Sequence, residues 1–181
     1  LPIYNAHPYQ NLPVIKKYTN GSALEKLKWG IVPSWSKKKD FKPLINSRLE
    51  TIDEKISFKK LIKLKRCIAI ADGFYEWKRT EKEKKPFFFQ RQDKKTIYFA
   101  GIYDENEFCL ITEPASENLL AIHHRQPVIL NQKDLKSYLD LQLDGSAFLK
   151  EAKKPRLEFY EVSKDVNKPT NNSVSLIQEI K

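Results

Sequence analysis

The sequence predicts an α+β fold, built on a curved, barrel-like and mainly antiparallel β-sheet with a few flanking helices. Short runs rich in aromatic and β-branched residues dominate the chain, and turn signals such as Asn20-Gly21 separate them. Only three segments have the apolar spacing that is typical of a helix. No predicted strand leads through a glycine-rich loop into a helix, which argues against a Rossmann or P-loop nucleotide site.

The predicted strands share this aromatic and β-branched character, which suits a half-buried pleated surface. They cover residues 12–18, 23–32, 67–72, 87–91, 96–103, 107–112, 127–130 and 157–162. A first helix is predicted over residues 53–65, where Phe58, Leu61 and Ile62 form an i, i+3, i+4 stripe. A second begins at Asn131 as N-cap and stops at Gly145. Its apolar face comprises Leu135, Tyr138, Leu139 and Leu143. A short third helix covers residues 146–153 and ends before Pro155.

Length and composition predict one domain over residues 1–181, and we also expect a monomer without cofactor or metal. Its 40% hydrophobic and 12% aromatic content is enough for a core. No apolar run is long enough to cross a bilayer, and Leu1 does not open a signal peptide, so we expect no membrane partner and a cytoplasmic location. Cys67 and Cys109 lie in apolar alternating runs, which predicts two buried thiols in a reducing compartment rather than a disulfide framework or a metal site.

The chain is strongly basic, with a net charge of +10. Such an excess favours a polyanionic partner, because bound phosphates release condensed counterions. The positive residues form four clusters, at 37–39, 59–66, 78–85 and 153–156. Each cluster alone could be a solubilising surface, but four together favour a nucleic-acid face.

Two segments in the first third of the chain place polar or aromatic groups where a plain core needs none. Trp35 ends the run 29–35 at a turn and precedes three lysines, which suits an indole on which a nucleic-acid base stacks. Further along, Asn46, Arg48 and Glu50 would share one face if residues 44–51 are extended. The alternative is a helix-entry loop capped by Thr51 or Asp53.

Two later segments carry candidate acid–base groups. Glu76 lies between aromatic residues just after an apolar strand, a setting that raises a carboxyl pKa and suits proton transfer. Alternatively, it is an edge-strand residue paired with a following lysine. His123 and His124 are adjacent and precede Arg125, so one histidine could act as acid or base beside an anion-binding arginine. Otherwise His123 is a hydrogen-bonded histidine that ends a helix. Neighbouring residues do not readily chelate one zinc ion, so no metal site is expected.

Taken in order, these pieces resemble the SOS-response-associated peptidase (SRAP) family, whose members cap abasic sites in single-stranded DNA. The matching pieces are residues 4–8, 29–35, 46–51, 66–67, 72–77, 100–102, 123–127 and 162–167. The Gly-Phe-Tyr-Glu-Trp and Asn-x-Arg-x-Glu-Thr motifs are the most specific of them. The resemblance implies an α+β domain whose barrel-like core carries a basic groove for single-stranded DNA.

The resemblance also implies a mechanism. Family members use a cysteine that follows the initiator Met: its amine condenses with the abasic-site aldehyde and its thiol closes a thiazolidine, which gives a stable protein–DNA cross-link. Carried over, Asn46 would hold that amine, while Glu76 and His123 would move protons. Arg48 and Arg125 would bind phosphates, and Trp35 would stack on a base.

The chain departs from the family pattern at three places. It begins at Leu1 and contains no Met, so we expect the N-terminal Cys-Gly-Arg stretch to be missing from it. Ser47 replaces the usual Ala, and Gln126 replaces the usual Met. Two alternatives to an abasic-site cross-linking or lyase-type enzyme stay open: a cysteine peptidase that includes removal of its own initiator Met, and a non-catalytic binder of single-stranded nucleic acid.

Overall fold

The chain forms two β-sheets and four short α-helices in a computed structural model that describes residues 2–36 and 40–180. The strands are β1 (Asn11–Tyr18), β2 (Gly21–Trp29), β3 (Asn46–Arg48), β4 (Arg66–Ala71), β5 (Phe74–Arg79), β6 (Lys84–Arg91), β7 (Ile97–Asp104), β8 (Glu107–Pro114), β9 (Arg125–Pro127), β10 (Ile129–Leu130) and β11 (Leu157–Glu161). The helices are α1 (Leu61–Leu64), α2 (Glu117–Leu120), α3 (Leu135–Leu139) and α4 (Gly145–Glu151). Short 3-10 turns lie at Leu49–Thr51, Gln132–Asp134, Lys164–Asn167 and Val174–Ile177.

The larger sheet curves until its strands close on themselves. Its order is β10-β7-β4-β1-β2-β8-β3, β9 also pairs with β8, and a further β7–β8 pairing joins five strands in a ring of hydrogen bonds. All pairings are antiparallel except those of β2 and β3 with β8. The α+β class and the curved, mainly antiparallel sheet are therefore confirmed.

In the five strands of the ring, successive side chains point to opposite faces of the sheet, which divides the core into two layers. One buried cluster takes a side chain from each of the five ring strands, so it fills the interior of the ring. These side chains are Val14, Leu27, Cys67, Phe99 and Phe108. A second cluster combines the opposite faces of β4, β7 and β8 with the helices and includes Ile68, Ile102, Ile111, Tyr138 and Leu149. Apolar residues on both faces explain why these strands read as nearly continuous hydrophobic runs.

Both cysteines belong to this core, as predicted. Cys67 lies on β4 and Cys109 on β8, and neither is accessible to solvent. Burial raises the pKa of the Cys109 thiol to about 12 and that of Cys67 well above its usual range. Since the thiolate is the reactive form, neither residue is a nucleophile in this fold.

The predicted helices are shorter than the apolar pattern suggested. Only residues 61–64 of the first are α-helical, and turns replace the rest, although Phe58, Leu61 and Ile62 are buried as predicted. The second ends at Leu139, so the prediction that Leu143 belongs to its apolar face and that Gly145 stops it is wrong. Leu143 is exposed, and Gly145 begins α4, for which Asp144 is the N-cap.

Arg66 explains the early end of α3. It was counted in a basic surface cluster, but its side chain is buried. Its Nη1 donates to the carbonyls of Tyr138 (2.9 Å) and Asp140 (3.2 Å), and its Nη2 donates to Leu143 (2.6 Å). The guanidinium thereby satisfies the carbonyls that a continued helix would have bonded. A Cβ at Gly145 would lie 2.7 Å from Arg66 Nε, so glycine is required there by this close approach.

The smaller sheet has the order β11-β6-β5 and was only partly predicted. Strand β5 was missed, because it follows β4 after a two-residue turn and carries a charged residue in its middle. Strand β3 and helix α2 were expected only as alternatives, an extended segment 44–51 and a helix before His123, and the predicted strand 127–130 is split into β9 and β10. Strand β5 is the edge strand that carries Glu76, so it matters most for the site.

Candidate active site

Glu76 points to the opposite face of β5 from its two aromatic neighbours. Tyr75 and Trp77 pack against the cluster of Phe88, Val162 and Val166. The Tyr75 hydroxyl donates to the carbonyl of Tyr4 (2.7 Å), and Trp77 Nε1 donates to Oδ1 of Asn167 (2.7 Å). Since successive strand residues face opposite ways, the anchored aromatics fix the direction of the Glu76 carboxylate.

His123 is the ionic partner of Glu76. Nδ1 of His123 lies 3.8 Å from Oε2 of Glu76, and within the described part of the chain no lysine forms an ion pair with this carboxylate. The alternative pairing with a following lysine is therefore wrong. Burial raises the pKa of Glu76, while the nearby His123 and a hydrogen bond from the Trp77 N–H oppose that rise. A carboxyl group with a raised pKa beside an imidazole is an arrangement that can exchange a proton.

His123 is held by the loop that joins β8 to β9. Its N–H donates to the carbonyl of Leu119 in α2 (3.0 Å), and Leu119 and Ile122 are buried against the smaller sheet. The ring nitrogen Nδ1 lies 3.2 Å from the N–H nitrogen of Arg125 and 3.0 Å from its carbonyl oxygen. His124 is exposed. The expected hydrogen-bonded histidine just after a helix is therefore found at His123.

Arg125 lies beside this pair and binds a carboxylate in the protein itself. Its Nη1 and Nη2 donate to the two carboxylate oxygens of Glu50, the second over 3.0 Å. Nη2 also donates to Oγ1 of Thr112 (3.0 Å). The hydrogen bond from Arg125, assisted by the charge of Arg48, lowers the pKa of Glu50. Glu50 is therefore ionised at neutral pH and fixes the guanidinium.

Asn46 and Arg48 lie on the exposed face of β3, on either side of the buried Ser47. Strand β3 pairs with β8 in parallel, and Arg48 stands opposite Thr112. The expected extended conformation is therefore found at residues 46–48, and Glu50 follows in the 3-10 turn, exposed on its outer side. The structure brings Arg48, Glu50 and Arg125 together around Thr112. Asn46 is two residues from Arg48 on the same strand face, about 7 Å away.

Trp35 lies in the loop between β2 and β3, and 53% of its surface is exposed. Its ring packs edge-on against Phe41, with 6.0 Å between the ring centroids. The exposed indole fits the predicted stacking platform, but no described contact joins it to Glu76 or His123. The lysines expected beside it, residues 37–39, lie outside the described residues.

Sequence reasoning missed the partners that hold these groups. Thr112 gave no signal, because a threonine inside an apolar strand is ordinary. Asn5 is buried, and its Nδ2 donates to the carbonyls of Val166 and Lys168 (both 3.1 Å), so it ties the first residues to the 3-10 turn that anchors Trp77. Among residues 2–36 and 40–180, no three His, Cys, Asp or Glu side chains converge as metal ligands.

Comparison with known proteins identifies the family. The profile of the SOS response associated peptidase (SRAP) family matches residues 1–169. This chain belongs to the SRAP family. It is 37% identical to the abasic site processing protein YoqW of Bacillus subtilis, over 98% of this chain and 86% of that protein. It is 31% identical to the abasic site processing protein YedK of Escherichia coli, over 98% and 84% of the two chains.

The SRAP fold is also found in solved structures. A crystal structure of a protein from Bacteroides thetaiotaomicron has a TM-score of 0.84 and 24% identity, and the match covers 96% of this chain and 82% of the other. At this identity the likeness concerns the fold alone. The SRAP profile ends at residue 169, yet the segment that follows packs on the smaller sheet, where Leu176 is buried and the Tyr160 hydroxyl donates to the carbonyl of Ile177 (2.7 Å).

Proposed function

We propose that this protein processes abasic sites in single-stranded DNA by forming a covalent thiazolidine cross-link. The observation that carries the proposal is the partly buried Glu76–His123 pair next to Arg125, whose partner Glu50 also lies near Arg48. Relatives that align with nearly the whole chain are named abasic site processing proteins. An acid–base pair next to fixed positive charge is what ring opening of a sugar between two phosphates requires.

The proposed nucleophile is the α-amine of a cysteine at the N-terminus of the gene product. An α-amine is partly neutral near pH 7, whereas a surface lysine is almost fully protonated. The amine attacks C1′ of the ring-opened sugar, the carbinolamine loses water to give an imine, and the thiol then adds to the imine carbon. The thiol proton passes to nitrogen, which closes the five-membered ring. Asn46 is proposed to hold the amine through its exposed amide.

Glu76 and His123 are proposed to move the protons of these steps. The raised pKa of Glu76, caused by its burial, lets the carboxyl group donate a proton to the ring oxygen of the sugar as that ring opens. The same group then takes a proton during thiol addition. His123 Nδ1, 3.8 Å away, assists proton transfer at the sugar. These steps require neither a metal ion nor an organic cofactor.

Binding of the DNA strand is proposed to rest on Arg48, Arg125 and Trp35. The two arginines supply positive charge to phosphates near the reacting sugar, and Trp35 offers an exposed ring to a base. The net charge of +10 favours such a strand over a neutral ligand. Phosphate contacts carry little sequence preference, so binding should be general for single strands.

A cysteine peptidase would use the same pair with a thiol nucleophile. Cys67 is buried inside the ring of strands and Cys109 is buried on its outer side, under the helices, so neither serves that role in this fold. The test incubates the full-length gene product with a single-stranded oligonucleotide that contains one abasic site, and in parallel with a peptide panel. We expect a heat-stable adduct on a denaturing gel, none with an intact oligonucleotide, and loss of the adduct in Glu76→Gln. Peptide cleavage without an adduct would overturn the proposal.

A further inference from the structure

The side chain of Arg125, next to the Glu76–His123 pair, spans three neighbouring strands. It lies at the start of β9, reaches across β8 to Thr112, and ends at Glu50, directly after β3. Only 16% of the side chain is exposed. Both terminal nitrogens are used by partners within the protein, so the guanidinium is fixed before any ligand arrives.

The main chain of the same residue forms the environment of the His123 ring. Arg125 stands opposite Pro114 in the last pair of the β8–β9 ladder, where a strand end frays most easily. Its N–H nitrogen and its carbonyl oxygen lie 3.2 Å and 3.0 Å from His123 Nδ1. One residue therefore offers this nitrogen both a donor and an acceptor.

A donor and an acceptor together suit a nitrogen that changes protonation state. When Nδ1 carries no proton, it accepts from the Arg125 N–H; when it carries one, it donates to the Arg125 carbonyl or towards Glu76. The ring keeps a hydrogen bond in both states and does not have to rotate. Both hydrogen bonds require the Arg125 main chain to stay where it is. Its position depends in turn on the partners that hold the Arg125 side chain.

We propose that Glu50 is a positioning residue that, through Arg125, keeps the His123 ring aligned with Glu76. This rests on the proposed function, because the aligned pair is the one assigned to proton transfer there. A carboxylate that binds both ends of a guanidinium is among the strongest side-chain contacts and fixes its direction. Removal of one partner leaves a largely buried charge without compensation, so the side chain and the strand end must rearrange.

The test compares Glu50→Gln and Thr112→Val with Glu83→Gln. Glu83 is a matched control. It lies in the turn between β5 and β6 and forms an ion pair with Lys164, and its replacement by Gln removes the same charge as the replacement of Glu50. The first readout is the pair of ring ¹⁵N signals of His123 in the free protein, which report the tautomer. The second is the rate of adduct formation by the full-length gene product with an abasic oligonucleotide, measured at saturating DNA.

We expect Glu50→Gln to alter the His123 signals and to slow adduct formation roughly 10- to 100-fold, the cost of a small misplacement of a reacting group. Thr112→Val should have a smaller effect in the same direction, and Glu83→Gln none. Affinity for the oligonucleotide should not fall, since Arg125 keeps its charge. Unchanged signals, or an unchanged rate with altered signals, would overturn the positioning role. If the unmodified protein forms no adduct, the proposed function fails, and the ¹⁵N signals alone decide whether Glu50 orients His123.

Discussion

Oε2 of Glu76 lies 3.8 Å from Nδ1 of His123, although the first residue belongs to the edge of the smaller sheet and the second to a loop of the larger one. Two opposing effects meet in this contact. Burial raises the pKa of Glu76 because a carboxylate is poorly solvated there, and the positive form of His123 would lower it. The dependence of folding stability on pH shows which of the two effects is larger.

Replacement of Glu76 by Gln tests that balance. A carboxyl group whose folded pKa lies above its ordinary value of 4.5 stabilises the fold below that value and loses this contribution as pH rises through the folded pKa. The Glu76→Gln protein should therefore have a higher urea midpoint than the unmodified protein at about pH 8, and nearly the same midpoint at about pH 4. Glu54→Gln, at an exposed carboxylate, is the control and should show no such trend. A lower midpoint of Glu76→Gln at about pH 8 would contradict a raised pKa of Glu76 in the folded protein.

The exposed indole of Trp35 provides a test of the binding surface. If a base stacks on it, Trp35→Ala should cost about 1–3 kcal/mol of binding free energy, or roughly a 5- to 150-fold weaker Kd for single-stranded DNA. Fluorescence anisotropy at fixed salt measures this. Tyr18→Ala is the matched control, because Tyr18 is a similarly exposed aromatic residue at the end of β1. Equal losses in both variants would place the stacking surface elsewhere.

The adjacent histidines have different environments and should have different roles. His123 is partly buried beside Glu76, whereas His124 is exposed. In the full-length gene product, His123→Ala should slow cross-linking about 100-fold or more, the usual contribution of a positioned acid or base. His124→Ala should have little effect. Time courses on denaturing gels measure both rates. A larger loss in His124→Ala than in His123→Ala would mean that His124, and not His123, acts with Glu76.

Local sequence patterns proposed individual site residues but did not predict how they meet. Glu76 was proposed because of its aromatic neighbours and His123 because of its place before Arg125, yet their contact depends on how α2 packs on the smaller sheet. The ion pair between Glu50 and Arg125 could not be predicted either, because it depends on the parallel pairing of β3 with β8. Such non-local pairings have no signature in a short window of sequence.

The fold shows the same division. Runs of aromatic and β-branched residues located most strands, because strands that are buried on one or both faces are rich in such residues. Helix ends were predicted less well, since Arg66, far from α3 in the chain, takes the carbonyls that end it. Gly145 looked like a helix stop, and only its distance from Arg66 shows why glycine stands there.

Gly145→Ala therefore tests a steric requirement against helix propensity. Within a helix, Ala is normally more stable than Gly by about 1 kcal/mol. Here the new Cβ would lie 2.7 Å from Arg66 Nε, so we expect destabilisation by about 1–3 kcal/mol, as in other overpacked sites. Urea denaturation measures the change. In the background of Arg66→Ala the same substitution should lose its cost, because the clash is removed; additive effects of the two changes would contradict this explanation.

The last prediction concerns a protein that begins at Leu1. Its α-amine can form an imine with an abasic aldehyde, but no thiol lies on the same residue to close a ring. Neither Cys67 nor Cys109 can substitute, since both are inaccessible and burial raises the pKa of both thiols. We expect this protein to bind abasic single-stranded DNA in a salt-sensitive manner and to form no heat-stable adduct.

A protein form in which a cysteine follows the initiator Met should give the adduct. Replacement of that cysteine by serine should abolish the stable ring while leaving an imine that borohydride traps, because the amine is retained. Denaturing gels of the three forms with one abasic oligonucleotide, with and without borohydride, decide the outcome. A heat-stable adduct of the protein that begins at Leu1 would overturn the N-terminal cysteine mechanism. It would require the buried core to open far enough to expose Cys67 or Cys109.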